Sequence, residues 1–434
     1  MARDRAARHK PRRTNVSSRG RAFLTFAAIL LIIAFVSSNR IMLLAALMLA
    51  SVMVIATIVV RVRRLKLGVQ RTFRPATVEL GESTRVTLLV SNLATRRSAA
   101  AFWHDTLPFA PGFTPDAVLA PLDGQRGRVT RAKSIVRLSY DITPPRRGLF
   151  EIGPLAIESG DPFGLIVGSV ELPETHTLVV TPRVYELPGT GLLLDAGSGS
   201  STVTRRSSNG SEDDLMTREY RRGDALRRVH WRASARHGEL MVRQEEPRSR
   251  PETRIIVDTR IDGYDRSFPF DMGGDPQESE SAVFEWVVSF IASLGEHLHN
   301  AGYVVTVLET AGQQITQPGA PRGVDDAADP FLLSLAAIRL VRDLDELHAE
   351  AAAVQRSEAT LAPIIAVLSA PSDITLEWVL QQRRPYEVGT AIVINCTDEL
   401  ADRIDGAGWN IVRITDETAI SDAWSIALAV MSRG

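Results

Sequence analysis

The densest group of chemistry-bearing side chains lies at residues 218–246, REYRRGDALRRVHWRASARHGELMVRQEE, where eight arginines stand by residue 243 against three acids. A guanidinium is a planar, permanently charged fork that grips carboxylate or phosphate through two parallel hydrogen bonds. At about 100° per residue, a helix opening on an Asp224 N-cap and stopping at Gly238 puts Leu226, Val229 and Ala233 on one side. Arg228, Arg232 and Arg236 then form a separate stripe. Such an edge suits three chemistries: a structural clamp onto carboxylates, a surface for a protein partner, or a grip on nucleic acid or phosphate. Residues 251–434 hold 29 acids against 12 arginines, which supplies carboxylates for a clamp and disfavours nucleic acid, whose binders carry basic domains with aromatics free to stack. A phosphate cradle wants several backbone amides at a helix start, and Gly223 stands alone there. His230, beside Trp231, reads as a packed or capping residue, because no second His or Cys stands at metal-ligand spacing.

Catalytic patterns do not occur elsewhere. There is no Gly-x-Ser-x-Gly elbow, no Gly-x-x-x-x-Gly-Lys phosphate loop and no His-Glu-x-x-His pair. The single cysteine, Cys396, excludes an internal disulfide framework and a cysteine-based zinc site. The other locus of interest is Asp258, at the end of the strand-like run TRIIVDT (residues 253–259), because ligands of parallel α/β sheets meet the carboxyl ends of strands.

The elements that must position these residues begin with two uncharged runs, Ala22–Ser38 and Ile41–Val60, each near the ~20 residues that carry a helix across ~30 Å of hydrocarbon. Ser37-Ser38-Asn39-Arg40 breaks them into a helical hairpin. Residues 1–66 carry thirteen Lys or Arg and one acid, and only Arg40 lies between the runs. That asymmetry predicts both ends on the cytoplasmic side of the cell (inner or plasma) membrane. Period-2 patterns in residues 76–92, 134–142 and 175–182, punctuated by prolines and glycines, predict an antiparallel β-sandwich-like domain. Within it, ESGDPFGL (158–165) reads as a turn whose Phe163 and Leu165 plug the core beneath. Strand-like runs at 253–259, 303–309, 362–370, 389–395 and 409–414 alternate with helical stretches and predict an α/β domain with a mainly parallel sheet. The expected organisation is a basic tail at 1–21, two transmembrane helices with a basic flank at 22–66, the β domain at 67–185 and a Gly/Ser-rich linker at 186–214. The arginine-edged segment at 215–250 and the α/β domain at 251–434 follow.

The arrangement of Arg218-Glu219-Tyr220, Gly223-Asp224, Arg227-Arg228, Trp231, Ala235-Arg236 and Glu239-Leu240 resembles the signature of the bacterial domain-of-unknown-function 58 family. DPFGL, the apolar hairpin and the β-rich region resemble that family as well. The resemblance implies a membrane-anchored relative of von Willebrand factor A domains, Rossmann-type in fold, that works with a MoxR-type AAA+ ATPase, often beside transglutaminase-like membrane proteins. It implies no established activity. It makes Tyr220, Gly223, Asp224, Arg227, Arg228, Trp231, Arg232 and Arg236 the residues of a partner-binding surface or clamp. A metal-binding A domain carries Asp-x-Ser-x-Ser where this chain reads Asp258-Thr259-Arg260-Ile261-Asp262. Arg260 replaces the first serine and Asp262 the second, and a fixed cation beside Asp258 disfavours a divalent ion. No cofactor is therefore expected, Mg²⁺ being the ion that oxygens of Thr259, Asp262, Ser369 and Asp373 would otherwise take. The expected function is a membrane-tethered protein-interaction or assembly module, not an enzyme. The alternative is a divalent-metal-dependent binding or hydrolytic protein using the Asp258 loop.

Overall fold

The computed structural model describes residues 13–62, 65–124, 134–189, 217–220, 229, 231–243, 251–264, 281–321, 328–341, 363–383 and 389–433. A short strand, β1 (Arg13–Val16), precedes the helices α1 (Ser18–Val36) and α2 (Arg40–Val62). The polar break becomes their turn: Ser38 takes a left-handed conformation (φ 50°), and Asn39 Oδ1 accepts the Ile41 N–H at 3.0 Å. The buried positions are mostly small, namely Gly20, Ala27 and Ala34 on α1 and Ala46, Met53 and Ala56 on α2. Small side chains let membrane helices approach closely. The remaining faces expose large apolar groups, with Phe35 at 87 % and Leu44 at 67 %, a surface suited to lipid and penalised by water. Both helices are long and apolar enough to cross a membrane.

The chain divides into two compact units, residues 1–184 with 321–338, and residues 185–320 with 339–434. In the first, β2 (Leu67–Arg74), β3 (Thr77–Glu79), β4 (Thr84–Asn92), β5 (Ala101–Asp105), β6 (Ala117–Leu119), β7 (Ile135–Ile142), β8 (Gly148–Ile152), β9 (Leu155–Gly160), β10 (Ile166–Leu172) and β11 (His176–Thr181) form three sheets. Their orders are β2-β4-β7, β3-β11-β8 and β1-β10-β9-β5-β6. Among these pairings only β3 with β11 is parallel. One apolar core draws on all three sheets, from Val69 and Leu88 through Trp103 and Ile157 to Leu178. The expected period-2 pattern is explicit in β4, where Thr84, Val86, Leu88, Val90 and Asn92 are all buried. Two expectations change. Residues 13–16, taken as part of a basic tail, add a strand to this unit, because β1 pairs antiparallel with β10. Leu165 is buried as expected, but Phe163 is 65 % exposed and plugs nothing, since the turn turns it out of the fold.

The second unit begins with β12 (Thr217–Glu219), α3 (Trp231–His237) and β13 (Met241–Arg243). The chain then runs through β14 (Glu252–Val257), α4 (Ala282–Asn300), β15 (Val304–Glu309), α5 (Pro330–Ala337), β16 (Ile364–Leu368), α6 (Asp373–Gln382), β17 (Gly389–Ile394), α7 (Asp398–Gly406), β18 (Asn410–Ile414) and α8 (Ile420–Met431), all but α5 within this unit. The five strands β14 to β18 are all parallel, in the order β15-β14-β16-β17-β18. Every residue of β16 and β17 is buried, as parallel sheets covered on both faces require. Serine and threonine N-caps start the helices where the sequence supplies them: Ser281, Ser372 and Thr397 each accept a backbone N–H of the first turn. One helix departs from the boundary drawn at residue 251. α5 belongs to the first unit, where the Arg147 guanidinium donates to the Leu335 and Ile338 carbonyls at 3.2 and 3.3 Å.

At the centre of the first unit lies a buried ion pair that the pattern reading did not single out. Arg71 Nε and Nη2 donate to Asp105 Oδ2 and Oδ1 at 2.9 and 2.6 Å, and both side chains are wholly buried. Nη1 donates to the Glu174 carbonyl at 3.1 Å and lies 3.2 Å from His176 Nδ1, which must accept because a guanidinium has no lone pair to offer. The Tyr140 hydroxyl donates to Asp105 Oδ2. Burial first, then the Asp105 charge, pushes the Tyr140 hydroxyl far above the usual tyrosine range, so it remains a donor at every ordinary pH. Gly153 (φ 112°) makes room for the guanidinium, because a Cβ there would stand 2.9 Å from both Arg71 Nη2 and the Glu174 carbonyl. Removing one partner of such a pair strands a buried charge. Asp105→Ala should therefore cost about 3–5 kcal/mol, read as a lowered urea midpoint of the full chain in detergent. Asp141→Ala, which breaks the exposed Arg85–Asp141 pair, should leave the midpoint unchanged.

Candidate functional site

In a doubly wound sheet the ligand crevice opens where the strand order reverses, outside the carboxyl ends, which here is the gap between β14 and β16. The first residue beyond each of three neighbouring strands is polar and buried: Asp258 after β14 (0 % exposed), Thr310 after β15 (1 %) and Ser369 after β16 (7 %). Asp258 Oδ1 accepts the Thr310 hydroxyl and the Arg260 N–H, the latter at 3.1 Å. The Tyr264 hydroxyl donates to the Asp258 carbonyl. Asp258 Oδ2 is buried with no hydrogen-bond partner among the described residues, and a Cβ on Gly263 would stand 2.2 Å from it. The loop is fixed on both sides, as the Val341 N–H donates to the Thr259 carbonyl at 2.9 Å and the Ala370 N–H to the Gly263 carbonyl at 3.0 Å.

Burial pushes the Asp258 carboxyl above the usual aspartate range. The Thr310 hydroxyl, the Arg260 N–H and the Arg260 charge pull it back by less, and the Asp262 charge adds to the rise. Burial and then Asp258 raise the Tyr264 hydroxyl well above its ordinary value. Of the loop positions named from sequence, Asp258, Thr259 and Arg260 are buried together, whereas Asp262 is exposed. Asp373 forms a pair with Arg403 at 2.6 Å. The donors fit Mg²⁺ poorly. The ion demands near-octahedral oxygen ligation, yet Thr259 Oγ1 accepts the Ala311 N–H, Thr310 Oγ1 accepts the Thr259 N–H, and the one carboxylate at the site, Asp258, feels the charge of an arginine. Among the described residues, no group of three or more His, Cys, Asp or Glu stands where it would hold a metal ion. Thr310, Tyr264 and Gly263 were not named from sequence. Thr310 was within reach, as the first polar residue after the run YVVTVLE.

The arginine-rich segment folds differently from the helix expected between Asp224 and Gly238. β12 and β13 pair antiparallel, and Val229 bridges to Val242, so the chain at residue 229 is extended. Both valines are buried, and pairing two β-branched side chains across a strand outweighs the helical periodicity. α3 spans only Trp231–His237 and stops as expected at Gly238 (φ 78°). Its return is set by Ser234 Oγ, which accepts the Met241 N–H at 2.8 Å, and by the Tyr220 N–H, which donates to the Leu240 carbonyl at 2.8 Å. Tyr220 is half-buried, Trp231 is 68 % exposed and Arg236 is exposed. Among the described residues Arg236 has no ion-pair partner. Gly223, Asp224, Arg227, Arg228 and His230, with the side chain of Arg232, lie outside the described residues.

The family model for the protein of unknown function DUF58 matches residues 216–266, the stretch that holds both the β12–α3–β13 segment and the Asp258 loop. The match supports a DUF58 relationship. No curated protein matches the chain. Among solved structures, a CARDB domain from Pyrococcus furiosus is 17 % identical over 27 % of this chain and 94 % of its own length, with a TM-score of 0.20. The C-terminal domain of wzt is 11 % identical over 28 % of this chain and 74 % of its own, also at 0.20. Likenesses this loose carry no weight for the fold or the site.

Because the folded state binds the Asp258 proton more tightly than the unfolded chain does, the stability tied to this group is fullest below about pH 4. It is lost as the pH rises through the elevated folded value. Asp258→Asn removes the titration. The variant's melting temperature should gain on that of the wild type as the pH rises from 4 to 8, and a gap that stays constant across that range would show that the buried carboxyl does not titrate as its burial requires.

Proposed function

We propose that this protein is a membrane-tethered protein-interaction module whose folded units lie on the cytoplasmic side of the cell membrane. In this reading it serves as an adaptor or assembly factor for a MoxR-type AAA+ ATPase acting on envelope components. The basic flanks of both apolar helices support that orientation. The doubly wound parallel sheet, with an aspartate just beyond its switch-point strand, supports kinship with von Willebrand factor A domains. The observation that carries the reading is Trp231. An indole left 68 % exposed on a helix pinned at both ends, with exposed Arg236 on the same helix, is the composition of an interface anchor rather than of a surface left to solvent. A clamp built from the same arginines would need their carboxylate partners within the chain, and the exposure of Arg236 favours the partner surface. Crosslinking in native membranes with ATP present should join the wild-type chain to an AAA+ ATPase. Trp231→Ala should lose that product while melting as the wild type does, and an undiminished product would remove Trp231 from the interface.

One observation favours the alternative, a divalent-metal-dependent binding or hydrolytic protein: the uncommitted Asp258 Oδ2. If Arg260 supplies the positive charge in an ion's place, the wild type should show no Mg²⁺ binding by calorimetry at millimolar concentrations. Arg260→Ser, which removes the cation and adds a hydroxyl, should gain it. Saturable Mg²⁺ binding by the wild type, abolished in Asp258→Asn, would establish the metal-dependent reading instead.

A further inference from the structure

Asp161 organises the turn that enters β10. Its carboxylate, in a residue only 6 % exposed, accepts the Phe163 N–H at 2.9 Å and the Ile166 N–H at 2.6 Å, and Gly164 takes φ 68°. The turn is bonded to the root of the helical hairpin. Ser17, the N-cap of α1, donates its hydroxyl to the Gly164 carbonyl at 2.6 Å and its N–H to the Leu165 carbonyl at 2.9 Å. Gly20, in the first turn of α1, allows this approach, since a Cβ there would stand 2.2 Å from the Leu165 carbonyl oxygen. Leu165 and Ile166 share an apolar cluster with Met53 and Ala56 of α2 and with Phe23 of α1.

These contacts fix the height of the turn. Ala22, where the uncharged run of α1 begins, follows Ser17 by five positions, about 7 Å of helix rise. A bilayer's polar layer is roughly 5–7 Å deep on each side of its hydrocarbon, so Ser17 and the Gly164 carbonyl bonded to it sit at the outer edge of that layer, within reach of a side chain from the headgroups. Phe163, the residue before Gly164, is 65 % exposed there. Arg19 and Arg21 are both exposed on the first turn of α1, and Arg19 Nη1 lies 3.8 Å from where a Cβ on Gly164 would stand. An exposed apolar ring near cations is the composition that settles into the headgroup–acyl boundary of an anionic surface.

We propose that the Asp161–Leu165 turn is a membrane-interface element that seats the Phe163 ring at the boundary between the headgroups and the acyl chains of an anionic leaflet. It gives the β unit a third attachment beside α1 and α2 and holds it at a fixed tilt to the bilayer. This rests on the membrane-anchored reading above. The test places a nitroxide at position 163 (Phe163→Cys with Cys396→Ser) in the full chain, in nanodiscs containing anionic lipid. The ratio of its accessibility to oxygen, which concentrates in hydrocarbon, over a water-soluble nickel chelate should exceed by several-fold that of the same label at Leu149→Cys, an exposed position on β8. A label at 163 as open to the nickel chelate as the one at 149, in a chain that resists carbonate extraction from membranes, overturns the insertion alone. Release of the chain by carbonate overturns the anchor and the insertion together.

Discussion

A guanidinium sealed from water fixes the first unit. Arg71 is on β2, Asp105 on β5, Tyr140 on β7 and His176 on β11, so one side chain ties together three sheets that share no strand. An ion in an apolar interior tolerates no alternative packing, because any shift that breaks a bond strands a charge where the penalty is several kcal/mol. The sheets are thereby held in register with one another. That register also governs the anchor, since β1 runs into α1 and β2 follows α2, and each strand is paired within this unit. The helices leave a fixed platform, and the N-terminal strand and the β unit must lie on the same side of whatever the helices cross.

The second unit also buries an aspartate, with the opposite bookkeeping of bonds. Asp105 has both oxygens engaged by a cation and a phenol, whereas Asp258, just beyond β14, has no partner for Oδ2 among the described residues and carries a raised proton affinity. The first arrangement maximises rigidity. The second retains an unsatisfied polar atom at the one place in a doubly wound sheet where ligands gather, and perturbed titratable groups concentrate at such sites. Arg260 brings its charge to the loop without cancelling the effect of burial.

Much of this was legible in the residues. The lengths of the apolar runs, the Ser37–Arg40 break, the alternation in β4 and the parallel order of strands and helices each follow from local pattern, and each appears in the structure. The Arg71 network was written in the same alphabet. Arg71 shares its phase with Leu67 and Val69, Asp105 with Ala101 and Trp103, and Tyr140 with Val136 and Leu138, so polar residues at inward positions signalled a buried cluster. Which ones meet depends on sheet pairing, and that is non-local. The helix drawn from Asp224 was wrong at Val229 for a related reason: helical periodicity and a paired strand both explain an isolated apolar residue, and only the presence of Val242 decides between them. Phe163 was placed in the core because its spacing ignored which way the Asp161 turn faces.

The segment matched by the family model joins a small β12–α3–β13 unit to the first strand of the parallel sheet and to its switch-point loop. The two halves solve different problems. A seven-residue helix is too short to be stable alone, so α3 depends on its tertiary bonds, from Ser234 to Met241 and from Tyr220 to Leu240, and those bonds leave Trp231 outward instead of burying it. A lone exposed indole gives modest affinity. Tethering changes the consequence wherever the partner is held at the same membrane, because the two then meet at an effective concentration set by geometry and not by their abundance in the cell. On the proposed reading, an anchor that confines the chain to a membrane surface makes so small a contact surface sufficient for a partner confined there too, which gives an apolar hairpin, a rigid β platform and an outward-facing aromatic helix a common use in one chain.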